Sequence, residues 1–127
     1  MNLDIAFVKH FVVKGKQHRL LELLTSGRRD AFIDSFRSPS IFDGSHVTEI
    51  TGSARNSGAL WETLKNMGLG GRVHVISSNN EWDQKKFQTS YIIDECSAMC
   101  IDTIGYSWKT KTAFYEWHHS GSTYYLS

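Results

Sequence analysis

Six histidines and two cysteines are the side chains of this sequence best suited to acid–base or metal chemistry. Glu116 and His118 stand two residues apart on a predicted strand, so both side chains face the same way. That arrangement suits a general base and its orienting carboxylate, and with a second histidine it would suit a metal-independent RNase-like hydrolase. The same spacing is common on a solvated edge strand, which is the interpretation we favour. We therefore assign no catalytic residue and keep the hydrolase as the lowest of three hypotheses.

Neither the cysteines nor the histidines have the spacing of a metal site. A structural zinc site needs four Cys or His ligands, usually as two close pairs, and no second pair follows Cys96 and Cys100. His118 and His119 are adjacent on a predicted strand and point to opposite faces. We predict no metal and no cofactor, and expect both cysteines to pack as small hydrophobic residues.

The segment Gly52–Gly58 has a context that suits anion binding, because it follows a predicted strand and opens a predicted helix. The Lys-Ser/Thr of a phosphate loop is replaced by Ala59-Leu60, so a capped connection is the simpler interpretation. If two parallel strands flank this helix, loops 51–57 and 77–83 leave the sheet at the same edge. A small-molecule or nucleotide-binding domain is thus the alternative function, with ligand-binding residues Arg55, Asn56, Ser57, Ser78, Asn79 and Asn80, and Asp83 nearby.

Apolar residues at helical spacing predict two N-terminal helices, one over residues 16–26 and one that ends at Ser38-Pro39. Residues 5–13 fit either a strand or a helical lead-in. A strand at 46–50, a helix from about 57 to 67 and a strand at 72–77 then predict a βαβ unit.

A further helix around Phe87–Cys96 precedes the C-terminal part of the chain, which is rich in aromatic and β-branched residues. Turn signals at Gly105 and Gly121 predict three antiparallel strands, at 99–104, 110–118 and 122–126. The predicted fold class is α+β: two N-terminal helices, one βαβ unit, a further helix, and a C-terminal antiparallel three-stranded meander on one mixed sheet. The 127 residues fit a single domain, 1–127.

Charge and hydropathy exclude several classes of partner. The formal net charge is +1, so no global field favours nucleic acid or an anionic membrane. Residues 1–40 hold seven Lys/Arg and four Asp/Glu, a weak basic cluster that we interpret as a solvated helical face. We find no signal-peptide pattern and no run near the roughly 18 apolar residues of a spanning helix. A cytoplasmic protein with no membrane contact is the expectation.

From Val73 onward the sequence resembles a family of small uncharacterised bacterial single-domain proteins. The segments that carry the resemblance are Val73–Ser78, Trp82-Asp83, Lys111–Glu116 and Tyr124–Leu126, together with the helical segments Arg19–Leu24 and Asp30–Asp34. The resemblance implies a compact bacterial domain, and it transfers no catalytic residue because the group has no established activity.

The leading hypothesis is a non-enzymatic binding protein, most concretely a bacterial immunity or antitoxin-type inhibitor of a protein effector such as a toxin. Inhibition requires a complementary surface and no reactive group, which suits a chain without catalytic motifs. Acidic side chains beside an aromatic ring could face a basic effector, with the ring as the anchor. The predicted partner-binding residues are Glu81, Trp82, Asp83, Asp94 and Glu95.

Overall fold

Helices lie on both faces of one six-stranded sheet in the computed structural model, which describes residues 2–50, 57–117 and 122–127. The fold class is α+β, as predicted. The helices are α1 (Leu3–Phe11), α2 (Lys14–Thr25), α3 (Arg29–Asp34), α4 (Ser57–Met67) and α5 (Thr89–Met99). The strands are β1 (Val47–Ile50), β2 (Arg72–Ser77), β3 (Lys86–Gln88), β4 (Thr103–Ser107), β5 (Thr112–Trp117) and β6 (Ser122–Leu126).

The strand order is β1-β6-β5-β4-β2-β3, and every neighbouring pair is antiparallel. The prediction of a mixed sheet is therefore wrong. β1 and β2 run in the same direction on either side of α4, but β6, β5 and β4 lie between them. They are not the adjacent parallel pair that a βαβ unit requires, because the C-terminal meander occupies the space between them.

Residues 5–13 form most of α1, which settles the choice between strand and helix. The Asn2 side chain accepts a hydrogen bond from the backbone N–H of Ile5 at 3.1 Å, and so caps the first turn. The two predicted N-terminal helices correspond to α2 and α3, which are separated at Gly27 with its positive φ of 75°, and α1 is added before them. Three N-terminal helices are thus present where two were predicted.

The pleat of the sheet assigns alternate residues to two separate cores. Ile76, Ile104 and Tyr115 face α1, α2 and α3 and pack against phenylalanines such as Phe7 and Phe36. Residues of the opposite parity face the other way. On that side, α4 and α5 cover a second buried cluster that includes Leu64, Val73, Val75, Ile92 and Phe114.

The C-terminal meander is confirmed, with its first strand displaced by four residues at the start. β4 begins at Thr103 because α5 continues to Met99 and ends at Cys100, which adopts the left-handed conformation. β3 was not predicted; it is three residues long and too short to show alternation. Among the described residues, no helix is long and apolar enough to span a bilayer.

Candidate functional site

Four charged or titratable side chains form a network under α1 and α3. The Arg29 guanidinium donates to Asp4 Oδ2 at 2.6 Å, and to Asp83 Oδ2 and Oδ1 at 2.8 and 2.7 Å. His74 Nε2 lies 2.8 Å from Asp4 Oδ1, and an ionised carboxylate accepts hydrogen bonds only, so this nitrogen carries the proton. Asp83 Oδ1 also accepts from the Ser77 backbone N–H at 3.1 Å. The network therefore joins α1, α3, β2 and the loop after β2.

The charged groups of this network stabilise one another. Burial alone would raise the pKa of Asp4, but hydrogen bonds from His74 and Arg29 and the Arg29 charge lower it below its ordinary value. Burial would likewise lower the pKa of Arg29, but its bonds to Asp83 and Asp4 raise it. Arg29 and Asp4 thus stay charged at neutral pH. A positioned, fully paired set of this kind stabilises the packing of α1 and α3 on the sheet.

Two predicted partner-binding residues, Trp82 and Asp83, are directed into the protein. Trp82 is only 5% exposed and belongs to the core cluster under α4 and α5. Hydrogen bonds to Asn79 turn the loop inward. The Asn79 carbonyl oxygen accepts from the backbone N–H groups of Trp82 and Asp83, and the Asn79 side-chain oxygen accepts from the backbone N–H of Glu81 at 2.8 Å. Asp83 is held by Arg29. The prediction of Trp82 as an exposed interface anchor is therefore wrong.

The other three predicted residues, Glu81, Asp94 and Glu95, lie on or beside α5 around an exposed ring. Tyr91 is 48% exposed, and Met99 on the same helix is 55% exposed. A hydrogen bond to Glu95 and the negative charges of Glu95 and Glu81 raise the pKa of Tyr91, so both carboxylates lie near its hydroxyl. Phe87 stacks on the Tyr91 ring with centroids 5.8 Å apart. We call this surface the acidic-aromatic face: Glu81, Phe87, Tyr91, Asp94, Glu95 and Met99.

Sequence reasoning missed Tyr91 and Met99 as surface residues. The sequence contains a signal for this surface, because residues 91, 94, 95, 98 and 99 recur at the spacing of one helix face. Ile92, Ile93 and Cys96 occupy the buried side of α5. Tyr91 is itself aromatic, so hydrophobic spacing alone does not separate it from these buried residues.

The residues of the hydrolase hypothesis do not form an open site in the described part of the chain. Glu116 is buried in the central strand β5 and accepts a hydrogen bond from the Thr123 hydroxyl at 2.5 Å. An edge-strand position was expected for it, and that expectation is wrong because β6 and β1 lie beyond β5. His118 and His119 lie outside the described residues.

The two cysteines occupy different environments. Cys96 is buried among the helices of the second core, and burial raises the pKa of its thiol to about 12. Cys100 is exposed at the end of α5. Core packing is confirmed for Cys96 and is wrong for Cys100, which the left-handed turn directs outward.

The residues of the ligand-binding alternative were expected to converge at one sheet edge. The ends of β1 and β2, at Ile50 and Ser77, are four strand spacings apart, about 19 Å at roughly 4.8 Å each. The premise of adjacent strands is therefore wrong. Arg55 and Asn56 lie outside the described residues, and Ser57 begins α4. Ser78 and Asn80 are exposed and line a cleft of about 310 Å³ beside Arg29, while the Asn79 side chain is used within the turn.

Trp108, in the connection between β4 and β5, borders two further clefts. One, of about 480 Å³, is lined by Trp61 and Trp108 together with Arg72 and Lys109. The other, of about 270 Å³, is lined by Trp108 and Tyr106 with basic side chains from α1 and from residue 111. The ammonium group of Lys86 lies 4.9 Å from the centroid of the Trp108 ring. Neither cleft was anticipated, because the residues come from five separate segments.

Metal binding has no support in the described residues, which contain no group of three or more His, Cys, Asp or Glu arranged to hold an ion. Comparison with known proteins gives no further guidance. No protein-family model, curated protein or solved structure matches this chain. The resemblance to small bacterial proteins therefore remains an expectation from the sequence.

Proposed function

We propose that this protein is a non-enzymatic binding protein, an immunity or antitoxin-type inhibitor that covers a basic surface of a protein effector in the bacterial cytoplasm. The acidic-aromatic face of α5 makes the contact. The observation that carries this proposal is the exposure of Tyr91 and Met99 on one helix among Glu81, Asp94 and Glu95.

Exposed large apolar side chains are informative when they cluster. Of the large hydrophobic residues in the described ranges, Tyr91 and Met99 are exposed, and both belong to α5. Tyrosine is enriched at interface hot spots, and methionine adapts its shape to a partner. A surface that left these two side chains in water without a partner would lose the free energy of their burial.

Charge complementarity supports a basic partner. Glu81 and Glu95 act on Tyr91 and Asp94 is exposed on the same helix, and negative potential of this kind steers a positively charged protein and rejects like-charged ones. Nucleases carry basic surfaces because they bind phosphate, so a nuclease-type toxin fits this face. The effector's own active site would be blocked by contact, with no reactive group supplied by the inhibitor.

The interior of the protein supports a rigid presentation of this face. Trp82 packs beneath α5 with Ile92 and Ile93, and the turn after β2 places Glu81 beside the helix. A preorganised surface loses less conformational entropy on binding. Trp82 thus supports the interface from inside, in place of the direct contact first predicted for it.

Affinity capture from a bacterial lysate tests the proposal with four tagged proteins: wild type, Tyr91→Ala, Asp94→Lys and the control Glu22→Lys. Glu22 is an exposed carboxylate on α2, on the opposite side of the sheet. We expect one basic protein to be retained by wild type and by Glu22→Lys and lost with Asp94→Lys. Tyr91→Ala should weaken the measured Kd about thirtyfold.

A functional assay completes the test. Wild-type protein added to the purified partner should abolish the partner's activity, and Asp94→Lys should fail to do so at the same concentration. Equal retention of the partner by all four proteins would place the contact elsewhere. Catalytic turnover by the protein alone, with no partner captured, would overturn the proposal.

A further inference from the structure

We propose that the protein also binds single-stranded nucleic acid, across the two clefts that meet at Trp108. This surface is separate from the acidic-aromatic face and carries the opposite charge. We call it the Trp108 surface: Lys9, His10, Trp61, Arg72, Lys86, Tyr106, Trp108, Lys109 and Lys111.

The two clefts concentrate positive charge in a chain whose net charge is only +1. Arg72 and Lys109 line the larger cleft, and Lys9 and Lys111 line the smaller one. Lys86 lies over the ring of Trp108 that both clefts share. Among the described residues that line either cleft, none is acidic. A phosphate backbone that followed the clefts would meet cations in both of them.

The positive potential also acts on a titratable group inside the surface. Burial, together with the charges of His46 and Lys111, lowers the pKa of His10 below its ordinary value. His10 is therefore more often neutral at pH 7 than a free histidine. Burial is the largest cause of this shift, and the charge of Lys111, which lines the same cleft, adds to it.

Aromatic rings at the same place provide stacking platforms. Trp61 and Trp108 both line the larger cleft, whose remaining lining includes the hydroxyl and amide groups of Gln88, Ser90 and Thr110. Trp108 also lines the smaller cleft, where Tyr106 is buried in the wall. Single-strand binders combine a basic groove with aromatic rings, because every base has a face that can stack.

The pairing of clefts favours a strand over a free nucleotide. Each cleft has its own basic side chains and both are lined by Trp108, so successive nucleotides could use both. One mononucleotide would occupy a single cleft and leave the second set of cations unused. A duplex presents no unstacked bases to the two tryptophans.

Fluorescence anisotropy with a labelled oligonucleotide of about ten unpaired nucleotides tests the proposal at low salt, near 50 mM. Wild type is compared with the triple variant Lys86→Gln, Lys109→Gln, Lys111→Gln. The matched control removes three exposed cations elsewhere: Arg19→Gln, Arg28→Gln, Arg37→Gln. Both variants change the net charge equally, so a difference between them reports position and not total charge.

We expect the triple variant to bind at least tenfold more weakly than wild type, and the control to bind within about twofold. The slope of log K against log salt should become less negative by about 2 in the triple variant, since about 0.7 counterions are released per phosphate contact on a single strand. Bound oligonucleotide should quench tryptophan fluorescence, a readout that requires no substitution and so remains valid if a variant unfolds.

Several results would overturn the proposal. Equal losses in both triple variants would show a non-specific charge effect, and wild type that leaves the oligonucleotide unbound at low salt would exclude the surface altogether. A mononucleotide that binds as tightly as the oligonucleotide, or a duplex that binds more tightly, would exclude a single strand as the ligand. Loss of binding in Asp94→Lys but not in the triple variant would place the contact on α5.

Discussion

His74 Nε2 and Asp4 Oδ1 are 70 residues apart in sequence and 2.8 Å apart in space. This contact attaches the first turn of α1 to the middle of β2, and Arg29 extends it to α3 and to Asp83. Because these groups are buried, each charge depends on its partners for stabilisation. The network therefore governs how the N-terminal helices are held on the sheet.

Asp4→Asn should destabilise the protein by about 3 kcal/mol, since it leaves Arg29 partly unpaired in a buried position. Urea unfolding followed by circular dichroism measures the change as a lower midpoint. Asp34→Asn provides the control, because it breaks the exposed pair with Arg37 and should cost less than about 1 kcal/mol. Equal effects of the two substitutions would show that burial adds nothing to the network.

The same network predicts an acid limit to stability. The folded pKa of Asp4 lies below its ordinary value of 3.8. A lowered pKa adds stability that is complete above the unfolded value and disappears as the pH falls through the folded value. The difference in free energy of unfolding between wild type and Asp4→Asn should therefore be constant near neutrality and shrink below about pH 4. A difference independent of pH down to pH 2 would mean that the charge of Asp4 contributes nothing.

Much of the fold follows from local patterns in the sequence. Val73, Val75 and His74 alternate, and the structure places His74 on the opposite face from the two valines. The aromatic runs of the C-terminus form three antiparallel strands as predicted, but the turn predicted at Gly105 is wrong, because Gly105 lies within β4 opposite Phe114. Alternation reports which face a side chain occupies, because the pleat has a period of two.

The order of the strands in the sheet does not follow from the alternation of residues along each strand. Consecutive strands are usually neighbours, and this favoured β1 beside β2, but β4, β5 and β6 fold between them. The prediction that Trp82 is exposed failed for a related reason. Its neighbours Glu81 and Asp83 indicate a polar loop, whereas Arg29 binds Asp83 from 54 residues away and α4 and α5 cover the Trp82 ring. No local pattern encodes such contacts.

Trp82→Ala should lower the free energy of unfolding by about 3–5 kcal/mol, because it removes a ring that is 5% exposed from the second core. Thermal denaturation should show a fall in Tm on the order of 10 °C or more. Met99→Ala, which truncates an exposed side chain of α5, should change stability by less than about 0.5 kcal/mol. A Tm for Trp82→Ala close to that of wild type would mean that the ring is not part of the core in solution.

The two cysteines should differ sharply toward alkylation. Cys100 is exposed, so iodoacetamide should modify it in the folded protein within minutes to hours. Cys96 is buried with a pKa of about 12, so it is protonated and inaccessible. Peptide mass spectrometry should find Cys96 modified only after addition of denaturant. Labelling of Cys96 in the native protein at a comparable rate would show that α5 opens readily.

Gly105 on β4 lies directly opposite Phe114 on β5, and the ring of Phe114 covers the glycine. A Cβ at position 105 would lie 2.3 Å from Phe114 Cε1, far inside van der Waals contact, and Phe114 is itself buried. Gly105→Ala should therefore cost about 1–3 kcal/mol through overpacking. Gly15→Ala on α2 is the matched control, because nothing lies within 4 Å of its added Cβ and alanine favours the helix by about 0.5–1 kcal/mol. Chemical denaturation of both variants should thus give shifts of opposite sign. In a Phe114→Leu background the penalty of Gly105→Ala should shrink, since the colliding ring atom is gone; an unchanged penalty would assign the loss to the backbone and not to the ring.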